Sequence, residues 1–366
     1  MSEYDGKQFV GIDLHRRRSV LVRTTNAGEA LEVARVSNDV DSLARVIARA
    51  GQAPQVVLEA TYGWYWAADA LRDAGAVVHL AHPLGVKMFE HRRVKNDVRD
   101  ATDLADLLRM GRLPEAWIAP PGTREVRELV RHRAKLVTLR TGAKNQVHAV
   151  LAKLGVQVPM SDLFADRGQQ LLARVAAPAP YVARLQSLQR IINDLDEEID
   201  LFARLAKGKL IADPGYRAVQ TIPGIGPVLA AVFVAEIGDV TRFTSAAHLA
   251  SWAGLTPKHH ESDTHVHRGR ITKQGSRLVR WAAVESVKRL GPRTGVGAVK
   301  AAVAARRNVQ GGKNIATVAA ARRQIEHVYY AMRDGHVRAL PAPVGRHPTR
   351  PPARGPAVRG RARGAA

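Results

Sequence analysis

The sequence predicts an α/β domain with a mixed sheet at the amino-terminal end of the chain, followed by a mainly helical region. Two short apolar segments, 8–12 and 19–24, are followed by a turn signal at 26–28, which is typical of a β-hairpin. Short apolar runs then alternate with segments of helical spacing, as they do in α/β domains. Because a hairpin pairs antiparallel strands, we expect a mixed rather than an all-parallel sheet.

The later elements of this domain follow from their own patterns. Gly51 and Pro54 interrupt the chain between a helical segment and a buried apolar run. The predicted elements after the hairpin are a helix over 40–50, a strand over 56–59, a helix over 64–74, a strand over 76–81 and a helix over 97–110. We assign residues 1–120 to this domain.

The middle of the chain, 121–212, predicts long helices. Apolar residues within 123–154 recur at helical spacing amid arginine and lysine. A second stretch follows alternating steps of three and four, with Leu185, Leu188, Ile192, Leu195, Ile199 and Phe202. That spacing is the seam of a coiled coil. Either two helices of one chain pack on each other, or two copies of the chain pair, and so short a seam does not decide between them.

The last part of the chain divides into a third domain and a tail. Residues 213–338 are Ala-rich and read as helical. The tail, 339–366, combines Pro, Gly and Ala, and has six arginines and no acidic residue over 341–366. Such a composition buries too little apolar surface to fold, so we expect a disordered basic tail that attaches to nucleic acid by charge.

Charge is the first functional signal. The chain has 56 Lys and Arg against 33 Asp and Glu, a net charge of +23. The excess is uneven, because 1–110 holds 15 basic and 15 acidic residues while 258–366 holds 23 basic and 5 acidic. A polyanion is the expected partner of such a surface. Without a basic amphipathic helix bearing aromatic residues, nucleic acid is favoured over a membrane surface.

The composition also excludes several classes of protein. With no cysteine, disulfide frameworks, thiolate zinc sites and cysteine nucleophiles are excluded, and we expect a cytoplasmic protein. A hydrophobic content of 46% is too high for a wholly disordered chain. The first residues do not have the pattern of a secretory signal, and prolines and glycines interrupt the longest uncharged stretch, 218–235. We therefore expect a soluble chain with no membrane span.

Four carboxylates are candidates for metal-dependent chemistry. Asp13 closes the first strand, Glu59 closes a later buried strand, and Asp97 and Asp100 share a face at the start of a helix. Such acids could converge at one sheet edge, where divalent ions relieve their repulsion, and hard oxygen ligands suit Mg²⁺ or Mn²⁺. Two such ions can stabilise the attacking and leaving oxygens of a phosphodiester.

A structural role is the alternative for each of these acids. Acidic residues at a helix start complement the helix dipole, so Asp97 and Asp100 could belong to a solvated face. Glu59 differs because it follows Val-Val-Leu, where an unpaired charge is costly.

A glycine-containing turn precedes an apolar helix at 221–230. Gly224 and Gly226 there fit a helix-hairpin-helix, in which glycines allow close approach to a phosphate and the helix N-terminus offers N–H donors to it. A tight turn between two packed helices explains the same residues equally well.

A polar region, 254–276, surrounds Ser262 with histidines and cations. Its cations include Arg268, Arg270 and Lys273, so a hydroxyl there is placed to meet a phosphate. Ser262 either donates a hydrogen bond, the usual role of serine near DNA, or attacks as a nucleophile activated by a metal or base. The histidines do not favour a zinc site, because there is no cysteine and their spacing is irregular.

These motifs, taken in order over about 9–335, resemble the insertion sequence 110 family of transposases, including its 1111 subgroup, also described as DEDD serine recombinases. The motifs that carry the resemblance are Val10-Gly-Ile-Asp13, Leu58-Glu59-Ala-Thr, Lys95-Asn-Asp97-Val-Arg-Asp100-Ala, Ile222-Pro-Gly-Ile-Gly226, Ala250-Ser-Trp-Ala-Gly254-Leu-Thr-Pro257, Gly269-Arg-Ile-Thr-Lys-Gln-Gly275 and Gly312-Lys-Asn-Ile-Ala-Thr-Val-Ala-Ala-Ala-Arg322. Each motif is weak alone, and their succession is specific.

The resemblance implies an amino-terminal RuvC-like domain of the ribonuclease H fold. Its metal-binding acidic tetrad would be Asp13, Glu59, Asp97 and Asp100. A helical coiled-coil insertion and a carboxy-terminal transposase domain would follow.

The resemblance also implies a mechanism and partners. Ser262 would attack a DNA phosphodiester and form a covalent phosphoserine link, with Ser276 and Thr264 as fallbacks. A structured bridge RNA would pair with target and donor DNA, so that base pairing selects the sequence. We would then expect a dimer or tetramer acting on DNA in the bacterial cytoplasm, associated with the nucleoid.

Two other functions remain open from the sequence. The acidic tetrad could serve a Holliday-junction-type nuclease that activates water, with Ser262 only contacting a phosphate. Alternatively, the chain could be a non-enzymatic architectural protein that binds DNA through its basic end.

Overall fold

The protein is described here by a computed structural model. The described residues are 4–89, 96–263, 265–307 and 311–337. The side chains of Val266 and Arg268 and the whole of 339–366 lie outside them, so the disorder expected of the tail stays a prediction. The chain forms two compact units, Met1–Ala119 and Pro120–Ala366.

The first unit is built around one five-stranded sheet. Its elements in chain order are β1 (Phe9–Leu14), β2 (Arg18–Thr24), β3 (Ala30–Ser37), α1 (Val40–Ala48), β4 (Gln55–Glu59), α2 (Trp64–Asp73), β5 (Val77–Ala81), α3 (Pro83–Val86), a 3₁₀ turn (Lys87–Phe89) and α4 (Asp97–Arg109). The strand order is β3-β2-β1-β4-β5. Because β1 pairs antiparallel with β2 and parallel with β4, the predicted mixed sheet is confirmed.

Apolar side chains cover both faces of this sheet. Alternate residues of a strand point to opposite faces. On one face, Ile12 belongs to a buried cluster with Leu43 of α1 and Leu71 of α2. On the other face, Val57 packs with Leu104 of α4. The sheet therefore lies between two helical layers, and α4 covers the face that carries every second residue of β1 from Phe9 onward.

A glycine lets α4 lie directly on β1. A Cβ atom at Gly11 would overlap the backbone carbonyl oxygen of Ala101, with the Ala105 backbone nitrogen at 2.9 Å. No other residue fits under the helix without separating the two backbones. Since Gly11 and Asp13 lie on the same face of β1, the contact also fixes the distance between α4 and Asp13.

The edge strand β3 was not predicted, because few of its side chains pack on the core, Ala34 and Val36 among them, and charged residues help to hold it. Its residues are exposed or half-buried throughout. Glu32 accepts from Arg23 at 2.6 Å and forms an ion pair with Arg49. The hydrogen bond from Arg49 lowers the pKa of Glu32, against the opposing effect of burial.

The second unit is mainly helical. Its described elements are α5 (Pro121–Lys153), α6 (Asp166–Arg174), α7 (Ala179–Leu210), α8 (Pro214–Val219), α9 (Pro227–Ile237), a 3₁₀ turn (Val240–Arg242), α10 (Ala246–Trp252), β6 (Pro257–Ser262), β7 (His265–Ile271), α11 (Arg277–Lys288), α12 (Gly295–Arg306) and α13 (Gly312–Asp334). The predicted division of this part of the chain into 121–212 and 213–338 stays a prediction.

Helices α5 and α7 form an antiparallel pair within the chain. Lys209 pairs with Glu125 at 2.9 Å near one end, and Arg140 pairs with Asp196 nearer the middle. Of the six seam residues, Leu185, Leu188, Ile192 and Ile199 are buried, so the seam serves packing inside the chain. Whether it also serves pairing between copies stays open.

A buried carboxylate joins three helices of the second unit. Glu236 of α9 is only 4% exposed. Its Oε1 accepts from Nε of Arg131 on α5 at 2.7 Å, and its Oε2 accepts from the Ser276 hydroxyl at 2.9 Å. Arg127 donates to the backbone carbonyls of Ala235 and Glu236 at 2.8 Å. The charge is thus paired and hydrogen-bonded, as a buried carboxylate requires.

None of the described helices is both long and apolar enough to cross a membrane.

We predict that Gly11→Ala loosens the first unit. The added methyl group overlaps a carbonyl group of α4, and overpacking of this kind costs ~1–3 kcal/mol. Hydrogen exchange followed by mass spectrometry should show faster exchange in peptides from β1 and α4. Gly142→Ala is the control, because a Cβ at that exposed position of α5 meets nothing within 4 Å. Equal protection in the two variants would contradict the packing described.

Candidate active site

Two acids lie side by side where the central parallel strands end. The register pairs Ile12 of β1 with Leu58 of β4, and the next residues along are Asp13 and Glu59. Residues in register on neighbouring strands point to the same face. Asp13 and Glu59 therefore share the face that α4 covers. Both are half-buried.

Helix α4 brings two more acids to the same edge. The Asn96 side chain caps the helix by accepting from the Val98 backbone N–H at 3.0 Å. Asp97 and Asp100 occupy its first turn, one exposed and the other half-buried. Ala101, in the next turn, is the residue that lies on Gly11. The start of α4 is consequently held beside the carboxyl end of β1. Carboxylates at a helix start are also stabilised by the positive end of the helix dipole.

A histidine that the sequence analysis missed joins these acids. Nε2 of His15 lies 3.1 Å from Oδ2 of Asp13 and 3.4 Å from Oδ2 of Asp97. One ligand atom from each of the three residues lies within 4.8 Å of the others. The sequence offered no periodic signal for it, because His15 lies one residue beyond the end of β1.

The donor set fits a divalent cation. Carboxylate oxygens are the usual ligands of Mg²⁺ and Mn²⁺, and an imidazole nitrogen adds a ligand that Mn²⁺ accepts. Asp13 is 21% exposed at its side chain while Asp97 is 54% exposed, so the group is open to solvent on the helix side. The structure thus brings Asp13 and Asp97 together around His15. Glu59 and Asp100 are placed at the same edge by register and by helix turn.

Ser262 lies at the end of an exposed two-stranded hairpin formed by β6 and β7. It pairs in register with His265, and His260 pairs with His267. These four side chains share one face of the hairpin, since cross-strand partners and alternate residues point the same way. Every residue of β6 is exposed. A hydroxyl in this position is accessible to a large substrate, and imidazoles share its face of the hairpin.

The turn of the hairpin contains Asp263, which adopts a left-handed backbone conformation with φ of 52°. Asn and Asp accept that conformation more readily than other non-glycine residues. Thr264, the second residue of the turn, lies outside the described residues.

The fallback nucleophile Ser276 has structural partners. Its side chain accepts from the Val279 backbone N–H at 3.3 Å and so caps α11. Its hydroxyl donates to the buried Glu236. A serine with both of its roles inside the fold is a weaker candidate nucleophile than the exposed Ser262.

The predicted nucleic-acid contacts lie at the surface of the second unit. Gly224 and Gly226 are exposed between α8 and α9, Arg270 is exposed on β7, and Lys273 is exposed just after it. The Arg268 side chain lies outside the described residues. Gly224 has a φ of 87°, and a Cβ there would overlap the Ser286 carbonyl of α11. The turn between α8 and α9 therefore also packs directly on α11.

Two family models match the chain. One, described as "Transposase IS116/IS110/IS902 family", matches residues 216–302. The other, a transposase model of the DEDD type named after IS110, matches residues 10–155. The second covers the strands and the helix that carry all four predicted acids, and the first covers the Ser262 hairpin.

Curated proteins similar to this chain carry the same description. A protein named "Probable family 20 transposase" from Pseudomonas aeruginosa is 27% identical over 61% of this chain and 67% of its own length. The transposase for insertion sequence element IS1328 of Yersinia enterocolitica is 27% identical over 64% of this chain and 70% of its own. That for IS1111A of Coxiella burnetii is 26% identical, with 64% and 65% covered.

We predict that Asp13→Asn and His15→Ala each weaken Mn²⁺ binding by about tenfold or more. Removing a residue that merely orients a metal ligand already reduces metal affinity by that factor, and removing a ligand should reduce it at least as much. Electron paramagnetic resonance of free Mn²⁺ during a titration measures the affinity. Asp41→Asn on α1 makes the same charge change at an exposed position and should leave the affinity unchanged. An equal loss of Mn²⁺ affinity in Asp41→Asn would show that the effect comes from net charge, and it would contradict a metal site at Asp13 and His15.

Proposed function

Because the chain belongs to the IS116/IS110/IS902 family of transposases, enzymes that cut and rejoin DNA, we propose that it acts through a serine nucleophile and a divalent metal site. The observation that carries this proposal is the convergence of Asp13, His15 and Asp97 within 4.8 Å at the carboxyl end of the central strands. Carboxylates this close favour a bound cation over mutual repulsion.

The proposed fold of the first unit is that of a RuvC-like domain of the ribonuclease H type. Its support is the strand order β3-β2-β1-β4-β5, in which β2 alone runs against the other four. In sheets with parallel central strands, ligands bind outside the carboxyl ends of those strands. The acids gather at that end of β1 and β4.

The metal would be held by Asp13, Glu59, Asp97 and Asp100, with Mg²⁺ as the ion and Mn²⁺ as a substitute. When bound, it supplies positive charge that lowers the pKa of the attacking hydroxyl and neutralises charge on the phosphoryl oxygens. Asp13 is the anchor of this set, because its place on β1 is fixed by the packing of α4 on Gly11. His15 orients the Asp13 and Asp97 carboxylates, or completes their ligand set.

Ser262 is the proposed nucleophile. Its Oγ forms a bond to the phosphorus of a DNA phosphodiester while the bond from phosphorus to the oxygen of the departing strand breaks. The serine proton is lost to solvent, and the departing oxygen takes up a proton, so that this strand ends in a free hydroxyl. The product is a phosphoserine link, which a hydroxyl of another strand reverses by attacking the same phosphorus and restoring the Ser262 hydroxyl. The energy of the phosphodiester is retained, so rejoining requires no added cofactor. The exposed position of Ser262 on its hairpin supports this role.

The remaining contacts are proposed for binding rather than chemistry. Arg268, Arg270 and Lys273 would hold backbone phosphates beside the serine, and Gly224 and Gly226 would allow a second close approach of the backbone. A structured bridge RNA and a dimeric or tetrameric assembly are proposed as partners. A surplus of 23 basic over 5 acidic residues in 258–366 supports binding by charge and shape, which leaves sequence choice to base pairing.

We predict that the protein, incubated with Mg²⁺, the element's RNA and labelled DNA ends, becomes covalently attached to DNA. Ser262→Ala should abolish the adduct because it removes the oxygen proposed to attack the phosphorus, and denaturing gel electrophoresis detects the loss. Ser251→Ala removes a hydroxyl from an exposed position of α10 and should leave the adduct intact.

The same gels distinguish the alternatives. Metal-dependent cleavage without an adduct would instead establish a nuclease that activates water. Binding without cleavage would establish an architectural protein. An adduct that persists in Ser262→Ala would assign the nucleophile elsewhere.

We predict further that Asp13→Asn abolishes strand cleavage while leaving DNA retention nearly unchanged, because the basic part of the chain supplies most of the affinity. Electrophoretic mobility shifts measure retention, which should fall ~100-fold or more between about 50 and 200 mM salt if several phosphates are contacted. If Asp13→Asn lost DNA binding together with cleavage, or if DNA binding did not depend on salt, the prediction that the acids serve cleavage and the basic residues serve binding would be wrong.

A further inference from the structure

The second unit contains a cleft that the proposed chemistry does not use. It has a volume of about 920 Å³ and lies between the α5–α7 pair on one side and α9 and α11 on the other. Most of its surface is apolar, from residues such as Val137, Val232 and Leu278. The volume is at the upper end of the range for small-ligand sites, so the cleft accommodates one or two flat groups rather than a double helix.

An exposed tryptophan forms part of the cleft. Trp281 of α11 lines it and is 43% exposed, which is unusual for the largest side chain. Its neighbours on the same helix, Ala282 and Ala283, are fully buried in the core of the unit. The helix itself is therefore held firmly while it presents the indole ring to the cleft.

Cations surround this apolar surface. Seven Lys and Arg side chains line the cleft, and no carboxylate does so among the described residues. Two of the seven are paired elsewhere, Arg131 with Glu236 and Arg140 with Asp196. Arg204, Lys207 and Arg277 form no ion pair with any carboxylate in the described part of the chain. The cleft thus carries uncompensated positive charge.

Arg133 shows how crowded these cations are. Its Nε atom is buried without a hydrogen-bond partner among the described residues. Burial and the nearby charge of Arg140 lower the pKa of Arg133, and Asp200 only partly opposes them. A cation in such a position is stabilised by an incoming anion, for the same reason that crowded carboxylates are stabilised by a metal ion.

We propose that this cleft binds an unpaired segment of a DNA strand, with a base stacked on Trp281 and the adjacent phosphates held by Arg133, Arg204 and Arg277. Single-stranded nucleic acid presents flat apolar faces and regularly spaced anions together, and proteins bind it through aromatic side chains within a basic groove. A duplex conceals its base faces and offers only the anions. An acidic peptide offers the anions without the rings.

The choice of DNA as the occupant rests on the proposed function. A transposase that cuts a strand and joins it to another must separate strands around the cut, and the freed nucleotides need a place to bind. The described residues of the Ser262 hairpin include histidines but no Trp, Tyr or Phe, whereas the cleft presents the large indole ring of Trp281.

The test is binding of a short fluorescein-labelled oligothymidylate to the full chain, measured by fluorescence anisotropy without metal. Salt of ~0.2 M weakens purely electrostatic attachment by other basic segments. Trp281→Ala should weaken binding at least about fivefold, the lower end of the loss expected for one stacked base, and Trp281→Phe should restore most of it. Arg204→Gln should weaken binding as well.

Matched controls exclude a general effect of charge. Arg190→Gln makes the same change at an exposed position of α7 outside the cleft and should leave the affinity unchanged. An oligothymidylate containing 5-iodouracil should crosslink under light to the peptide that carries Trp281. Arg204 is exposed, so its variant stays informative even if Trp281→Ala fails to fold.

The inference is overturned if Trp281→Ala and Arg204→Gln bind as the wild type does, or if the crosslink maps elsewhere. It is also overturned if duplex DNA or oligouridylate competes better than unlabelled oligothymidylate. If Trp281→Ala changed the oligomeric state of the protein but left its DNA affinity unchanged, a second copy of the chain would cover the cleft, and the proposal would be wrong. Loss of covalent adduct in Ser262→Ala is independent of these results, so failure of the cleft and failure of the nucleophile are distinguishable.

Discussion

The contact between α4 and β1 is the constraint on which the candidate active site depends. Only a glycine at position 11 allows the carbonyl of Ala101 to lie against the strand. The contact determines where the first turn of α4 falls, and hence that Asp97 lies close to Asp13 and that Asp100 lies at the same edge. Carboxylates repel one another, so they do not assemble by their own attraction. The apolar packing of α4 on the sheet, through Leu104 and its neighbours, supplies the energy that holds them together.

Much of the first unit could be predicted from the sequence, because its elements follow burial. The bounds of β1, β2, β4, β5, α1, α2 and α4 all lie within two residues of the predicted ones. β3 and the β6–β7 hairpin were missed for one physical reason. Both are exposed on most positions, so neither leaves an apolar pattern of period two for the sequence to show.

The candidate site could be predicted in part. Strand ends and a helix start were enough to suggest Asp13, Glu59, Asp97 and Asp100, since parallel strands end at a common edge. His15 was missed because a lone histidine after a strand has no periodic signal, and its meaning appears only when Asp97 is folded beside it. The cleft around Trp281 was missed because its lining residues come from four helices and are spread over 130–281 of the sequence. Sequence patterns such as hydrophobic periodicity predict single helices and strands. They do not predict the clefts that form where several helices pack.

The buried Glu236 has a consequence for how this protein can change over generations. Its charge is tolerated only while Arg131 and Ser276 both reach it, because each removes part of the cost of holding a carboxylate away from water. Replacing Arg131 or Ser276 removes a partner from a carboxylate that stays inside the fold, whereas exchanging all three for apolar residues of similar volume leaves no buried charge. Substitutions at these positions should therefore occur together during evolution. A protein in which only one of these partners has changed would have a less stable fold.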